Sequence, residues 1–156
     1  MAETKTHKTE LRIERSFHAS PETVFDAFTE PTAMRVWWTE NTSFEIDLRV
    51  GSTWTITREE NGTTYVMTGK YLEIDRPHRL KHTIAMPQFS PNEDVITIEI
   101  MAEGAGGSRM QFTQSGPDIA SELGDLQEGA VSESEKGWQL GFDMMEEAWR
   151  KDSGEN

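Results

Sequence analysis

Few side chains in this sequence are placed to handle a proton. The histidines are His7, His18, His78 and His82, and only His82 shares an alternating face with apolar residues, Leu80, Ile84 and Met86. Histidine changes charge near neutral pH without outside help, so His82 with Tyr65 or Tyr71 is the one acid–base set on offer. A plainer reading makes His82 a core histidine bonded to backbone, because buried polar groups are normally paired. No histidine pair has the HExxH spacing of a zinc helix, and the chain has no cysteine. Neither a metal nor a cofactor is therefore expected. Gly51-Ser52 and Gly104 to Gly107 lack the strand–GxGxxG–helix setting of a nucleotide site and read as turns.

Binding chemistry has more candidates. Arg15 lies on the apolar face of Leu11, Ile13 and Phe17, while Gln114 follows Met110 and Phe112. A guanidinium fork there would suit a carboxylate or phenolate; the alternative is an ion pair with one of the 28 acidic residues. Trp37, Trp38, Trp54 and Trp138 sit at the apolar edges of their segments, as does Trp149. Met67, Met86, Met110 and Met145 add soft surface that adapts to irregular shapes. Together they describe either a plain core or a pocket for a flat, apolar molecule.

These residues need elements to hold them. Ser132 to Arg150 has helical periodicity, with Trp138, Gly141, Phe142, Met145, Ala148 and Trp149 on one stripe. Ser132 with Glu135 forms a capping box at its start. Gly141 removes a side chain from the buried stripe and should leave room against a partner. Upstream, Leu11 to Phe17 alternates as a strand, and Ser20-Pro21 is a helix start, N-cap then first turn. A second short helix should run from Pro31 through Met34 to Trp38. From Thr42 the pattern is short strands, with a hairpin turn at Asn61-Gly62 and a bulge at Gly69. Residues 116–131 are glycine-rich and acidic, a connection or lid with a helical turn at Ile119 to Leu123. The class is α+β: a curved antiparallel sheet of about six or seven strands around a long C-terminal helix.

At 156 residues the chain suits one domain, 1–156, with frayed ends at 1–8 and 151–156. A net charge of −13 repels phosphate backbones and anionic lipid, arguing against nucleic-acid and membrane partners. Nothing at the N-terminus resembles an export signal, so a cytoplasmic location is expected.

The order strand, two short helices, meander and long helix is that of the helix-grip fold. Four stretches sharpen this: ASPETVFDAFTEPTAMRVWW (Ala19 to Trp38), DLRVGS (Asp47 to Ser52), GKYLEIDRPHRL (Gly69 to Leu80) and Gly137-Trp138. They resemble the SRPBCC superfamily (START and birch-pollen-allergen-like proteins), in particular the AHSA-type family of heat-shock-protein ATPase activator homologues. The sequence departs from that pattern at Ser52, where a second glycine is usual, and in its acidic linker. The resemblance implies a hydrophobic cavity between sheet and helix. It also implies neighbouring first and last strands, which would bring Arg15 and Gln114 into one cavity.

The expected function is binding of a small hydrophobic or amphipathic molecule, without assigned catalysis. The ligand site would comprise Arg15, Trp37, Trp38, Trp54, Met67, His82, Met86, Met110, Phe112, Gln114, Trp138, Gly141, Phe142 and Met145. Its preference would be for a planar or amphipathic ligand with an anionic or hydrogen-bonding end. Two alternatives stay open: a cyclase, dehydratase or hydrolase using the same cavity, and a chaperone-interacting module with an exposed apolar patch. A chaperone contact has no support in the sequence itself, and a homodimer is left open.

Overall fold

The structure is a computed structural model and describes residues 9–152. His7 and the expected frayed ends lie outside these residues, except that the final helix continues to Asp152.

Strand β1 (Glu10–Phe17) buries Leu11, Ile13 and Phe17 and turns its alternate residues outward, as the alternation requires. Helix α1 (Pro21–Thr29) starts where Ser20 Oγ accepts from Thr23 N at 3.2 Å, with Pro21 in the first turn. It buries Val24, Phe25, Ala27 and Phe28. Helix α2 (Pro31–Met34) is a single turn and shorter than its sequence pattern suggested. Past Met34 the chain continues in turns, and Trp37 N and Trp38 N both donate to Met34 O at 3.1 Å.

Six further strands follow: β2 (Thr42–Glu45), β3 (Thr53–Glu60), β4 (Thr63–Asp75), β5 (Arg79–Ile84), β6 (Asp94–Glu103) and β7 (Gly107–Ser115). Asn61 and Gly62 make the β3–β4 turn with φ of 53° and 81°, the left-handed pair that a two-residue hairpin needs. Helices α3 (Pro117–Gly124) and α4 (Glu133–Asp152) complete the chain. Ser132 caps α4 by accepting from Glu135 N at 3.0 Å.

All seven strands form one antiparallel sheet in the order β1-β7-β6-β5-β4-β3-β2. The result is the helix-grip arrangement, a curved open sheet closed on one side by helices. The β4–β5 ladder shifts register between Tyr71 and Glu73, not at Gly69 as expected. Gly69 has another purpose: a Cβ there would sit 1.9 Å from the Thr83 carbonyl oxygen and 2.7 Å from Trp54 Nε1. Only glycine lets β5 and the Trp54 ring come so close.

Helix α1 packs over β6 and β7, α3 over β1, β6 and β7, and α4 over β1. Over β3, β4 and β5 the facing groups are Phe28 of α1, Met34 of α2, Trp37 and Trp38 after it, and Trp138 of α4, around buried Trp54, Ile56, Tyr71 and Ile84. No helix among the described residues is long and apolar enough to cross a membrane.

Candidate ligand-binding site

A cleft of about 800 Å³ opens beside the start of β4 and the end of β5. Its walls are Tyr65 and Met67 of β4, Met86 and Phe89 of the β5–β6 connection, Ile119 and Glu122 of α3, and the start of α4. Trp37 and Trp38 close one side. Behind it lies a small cavity of about 30 Å³, whose wall shares Trp37, Trp38, Met67, Ile84 and Trp138 with the cleft.

The aromatic wall is built around Phe142. Its ring lies 6.2 Å from Phe28, 6.1 Å from Trp37, 5.4 Å from Phe112 and 6.4 Å from Trp138, centroid to centroid. Trp37 is fixed at its other end, where Nε1 donates to Ala27 O at 2.7 Å. Gly141 does not leave open space as its place on the stripe suggested. A Cβ there would fall 2.5 Å from Trp37 Cε3, so the missing side chain admits the indole.

Polar anchors hold the far wall. Asp94 is buried at the start of β6 and accepts from Gln114 Nε2 at 3.0 Å, Asp118 N at 3.1 Å and Ile119 N at 2.9 Å. Its carboxylate thereby receives the first N–H groups of α3, the favourable end for a negative charge. Gln114 in turn accepts from Trp138 Nε1 at 3.0 Å. Gly116 makes this possible, since a Cβ at its φ of 139° would be 2.1 Å from Asp94 Oδ1. Glu122 accepts from Ser134 N at 2.9 Å and Ser134 Oγ at 2.8 Å, tying the end of α3 to the start of α4. The residues 116–131, expected as a connection or lid with a helical turn, therefore include a helix anchored at both ends. Sequence reasoning passed over Asp94. The available signal was Gly116-Pro117, a helix start lacking its own capping side chain, which calls for an acceptor from elsewhere.

Of the sequence candidates, Trp37, Trp38, Met67, Met86, Gln114, Trp138 and Gly141 border the cleft. Trp54, His82 and Phe112 line the inner cavity, which Trp37, Trp38, Met67 and Trp138 also reach. Met110, Phe142 and Met145 are fully buried and border neither space.

Arg15 is elsewhere. Its guanidinium donates to Gln139 Oε1 and Glu146 Oε1, both at 2.7 Å, and pairs with Asp143 at 3.0 Å. It clamps α4 to β1 and borders neither space. The first and last strands are indeed neighbours, but their register sets Arg15 against Met110 and Gln114 against Leu11. Four residues of strand separate the two, roughly 13 Å. The expectation of a shared anionic anchor is thereby corrected. Among the described residues Arg58 is the one cationic side chain on the cleft wall, which also carries Asp94, Asp118 and Glu122.

The proposed acid–base set is also split. Tyr71 pairs with His82 across β4 and β5 and both line the inner cavity. Tyr65 stacks on Phe89 at the cleft mouth, ring centroids 6.1 Å apart. His82 Nδ1 lies 2.8 Å from Thr83 O, and since a carbonyl only accepts, Nδ1 carries the proton. Burial pushes the His82 pKa down to about 4, so the ring is neutral at pH 7. The same cause raises the Tyr71 phenol well above its ordinary value. At neutral pH both side chains are therefore uncharged and can act only as neutral hydrogen-bonding groups. No grouping of three His, Asp or Glu suited to a metal ion occurs among the described residues.

Solved structures share the architecture. A protein of unknown function from Staphylococcus aureus superimposes with TM-score 0.74 at 23% identity, covering 94% of this chain and 96% of its own. A protein from Chromobacterium violaceum gives 0.71 at 24%, covering 90% and 96%. An HSP90 activator from Plasmodium falciparum gives 0.62 at 17%, covering 86% and 88%. At these identities the likeness concerns the fold. No functionally curated protein matches the sequence. The family profile described as "Activator of Hsp90 ATPase homolog 1-like protein" matches residues 18–150, nearly the whole described chain, and the protein belongs to that family.

Proposed function

We propose that this protein binds a small apolar or amphipathic molecule in the cleft beside β4 and β5. One observation carries the reading: about 800 Å³ of space whose wall is more apolar than polar, with three Trp, three Met, two Ile, Phe89, Leu140, Tyr65, Val66 and Ala85 among its residues. That volume is in the range of small-molecule sites, and polar groups interrupt the apolar wall, among them Gln114, Arg58 and the acids Asp94, Asp118 and Glu122. Titration with N-phenyl-1-naphthylamine, an uncharged fluorescent probe, tests it. Probe emission should rise and tryptophan emission fall together at a saturable one-to-one ratio. Absence of saturable binding up to the probe's solubility would refute the reading.

A second reading rests on the cleft mouth, where Phe89 is 66% and Leu140 65% exposed. Such a rim would also suit a protein partner, and one structural neighbour is an HSP90 activator. That reading requires the protein to raise the ATPase rate of purified Hsp90, with Leu140→Asp and Phe89→Asp abolishing the effect.

A further inference from the structure

A proline decides where β5 leaves its partner strand. Thr68 N donates to Ala85 O at 3.0 Å and Ala85 N to Thr68 O at 2.7 Å, a hydrogen-bonded antiparallel pair. The same register would next set Val66 against Pro87, which has no N–H to give. The backbone turns away instead, with Phe89 N and Ser90 N donating to Met86 O. The edge of β4 at Val66 is then plugged by a side chain. Gln88 Oε1 accepts from Val66 N at 3.2 Å, and Gln88 Nε2 donates to Val66 O at 3.0 Å. These are the two bonds that a residue of an added strand would make, and both lie at the surface. Next along the edge is Thr64, which is exposed. Its cross-strand partner Glu59 turns its N–H towards Asn41 O on the β2 side, so Thr64 points its own N–H and C=O away from β3. Neither group has a partner among the described residues.

The two faces of this edge differ in chemistry. Tyr65 and Met67 line the cleft, and Tyr65 stacks on the exposed Phe89 with ring centroids 6.1 Å apart. Thr64 and Val66 alternate to the outer face, which Glu59 shares as the residue opposite Thr64. Glu60 follows it in a chain of net charge −13. We propose that the β4 edge at Thr64 and Val66 is a strand-addition site for an extended basic segment of another protein, with Gln88 as a plug that the segment displaces. The proposal goes beyond the small-molecule reading and does not depend on it. The segment lies in line with β5 and antiparallel to β4, and main-chain bonds to Thr64 and Val66 hold it. Its residues opposite those two are lysine or arginine, within reach of Glu59. The residues between are apolar and meet Tyr65 and Met67. A second copy of this chain fits the edge poorly, because its own Glu59 and Glu60 would meet the same acids.

Three capped hexapeptides test it on the intact protein: alternating Lys-Val, the same peptide with its lysine backbone nitrogens methylated, and alternating Glu-Val. Methylation removes the donors that would face β4 and keeps every side chain and charge. Affinity is read by titration and amide hydrogen exchange by NMR. The Lys-Val peptide should bind about tenfold more tightly than its methylated form, with Glu-Val weakest. At saturation the Thr64 amide should exchange more slowly. Gln88→Ala should strengthen Lys-Val binding by about threefold, since nothing then competes for Val66. If that variant does not fold, the three peptides and the Thr64 amide decide on the wild type. Equal binding of the methylated or the Glu-Val peptide overturns the proposal, as does an unchanged Thr64 amide at saturation. No binding of Lys-Val at millimolar concentration also overturns it. Dimerisation of Gln88→Ala without peptide, seen by sedimentation, would give the edge to a second copy and overturn it too.

Discussion

Phe142, Met145 and Trp149 on α4 are buried, against Phe17 on β1 among others. On the same helix Trp138 is only half-buried, and Leu140, Gly141 and Met144 border the cleft. The difference lies in what faces each part. Helices α1, α3 and α4 approach β1, β6 and β7 closely, whereas over β3, β4 and β5 the facing groups are Phe28, Met34 and the indoles of Trp37, Trp38 and Trp138. One region of the interface is filled from both sides and holds the fold together. The other is held open by anchored walls.

The largest expected effect tests this division directly. Phe142→Ala should cost about 3–5 kcal/mol in urea unfolding, as removal of an enclosed aromatic does. Leu140→Ala, two residues earlier and 65% exposed, should stay within about 0.5 kcal/mol. Equal losses would show that the open region is packed as firmly as the closed one.

A second test uses pH and His82 on the open side. Its folded pKa of about 4 lies below the unfolded value near 6.5. Between these values the unfolded chain binds more protons, so stability rises with pH through this window. Lowering the pH from 7 to 4 should remove about 3 kcal/mol through this group alone. His82→Phe should lose less over the same range, and the difference between the two unfolding curves is the measurement. A difference of zero would mean that His82 is exposed to water.

Gly141→Ala should have a middling effect, about 1–3 kcal/mol from overpacking against Trp37. Because the Trp37 ring borders the cleft, the same change should weaken binding of N-phenyl-1-naphthylamine. Arg15→Met should cost about 1 kcal/mol, as for a partly screened ion pair. Its affinity for naphthoate and for the uncharged probe should match wild type, since Arg15 lies outside the cleft. Selective loss of naphthoate binding would return Arg15 to the site.

The features readable from sequence were those with local causes. Ser20-Pro21, Ser132 with Glu135, Asn61-Gly62 and the alternation of β1 each depend on a few adjacent residues, and each is found in the fold. The errors involve relations between distant segments. Alternation told which face Arg15 occupies but not the register that sets it four residues from Gln114 along the paired strands. The gap at Gly141 was visible, but its occupant, Trp37, comes from a segment about a hundred residues earlier. Asp94 escaped notice because its partners, Gln114 and the first turn of α3, lie twenty or more residues away. The Trp38 and Trp54 indoles belonged to the expected site, but their lack of a partner only becomes visible when the surroundings are in place.

The anchoring of α3 also has a kinetic consequence. Asp94 holds its first turn and Glu122 ties its last to α4, so the wall of the cleft is in place before a ligand arrives. A preformed site spends little binding free energy on ordering. Nor does it impose a slow conformational step before capture. In stopped-flow fluorescence, occupation of the cleft should therefore follow a single phase whose rate rises linearly with probe concentration, without the plateau that an opening lid would impose.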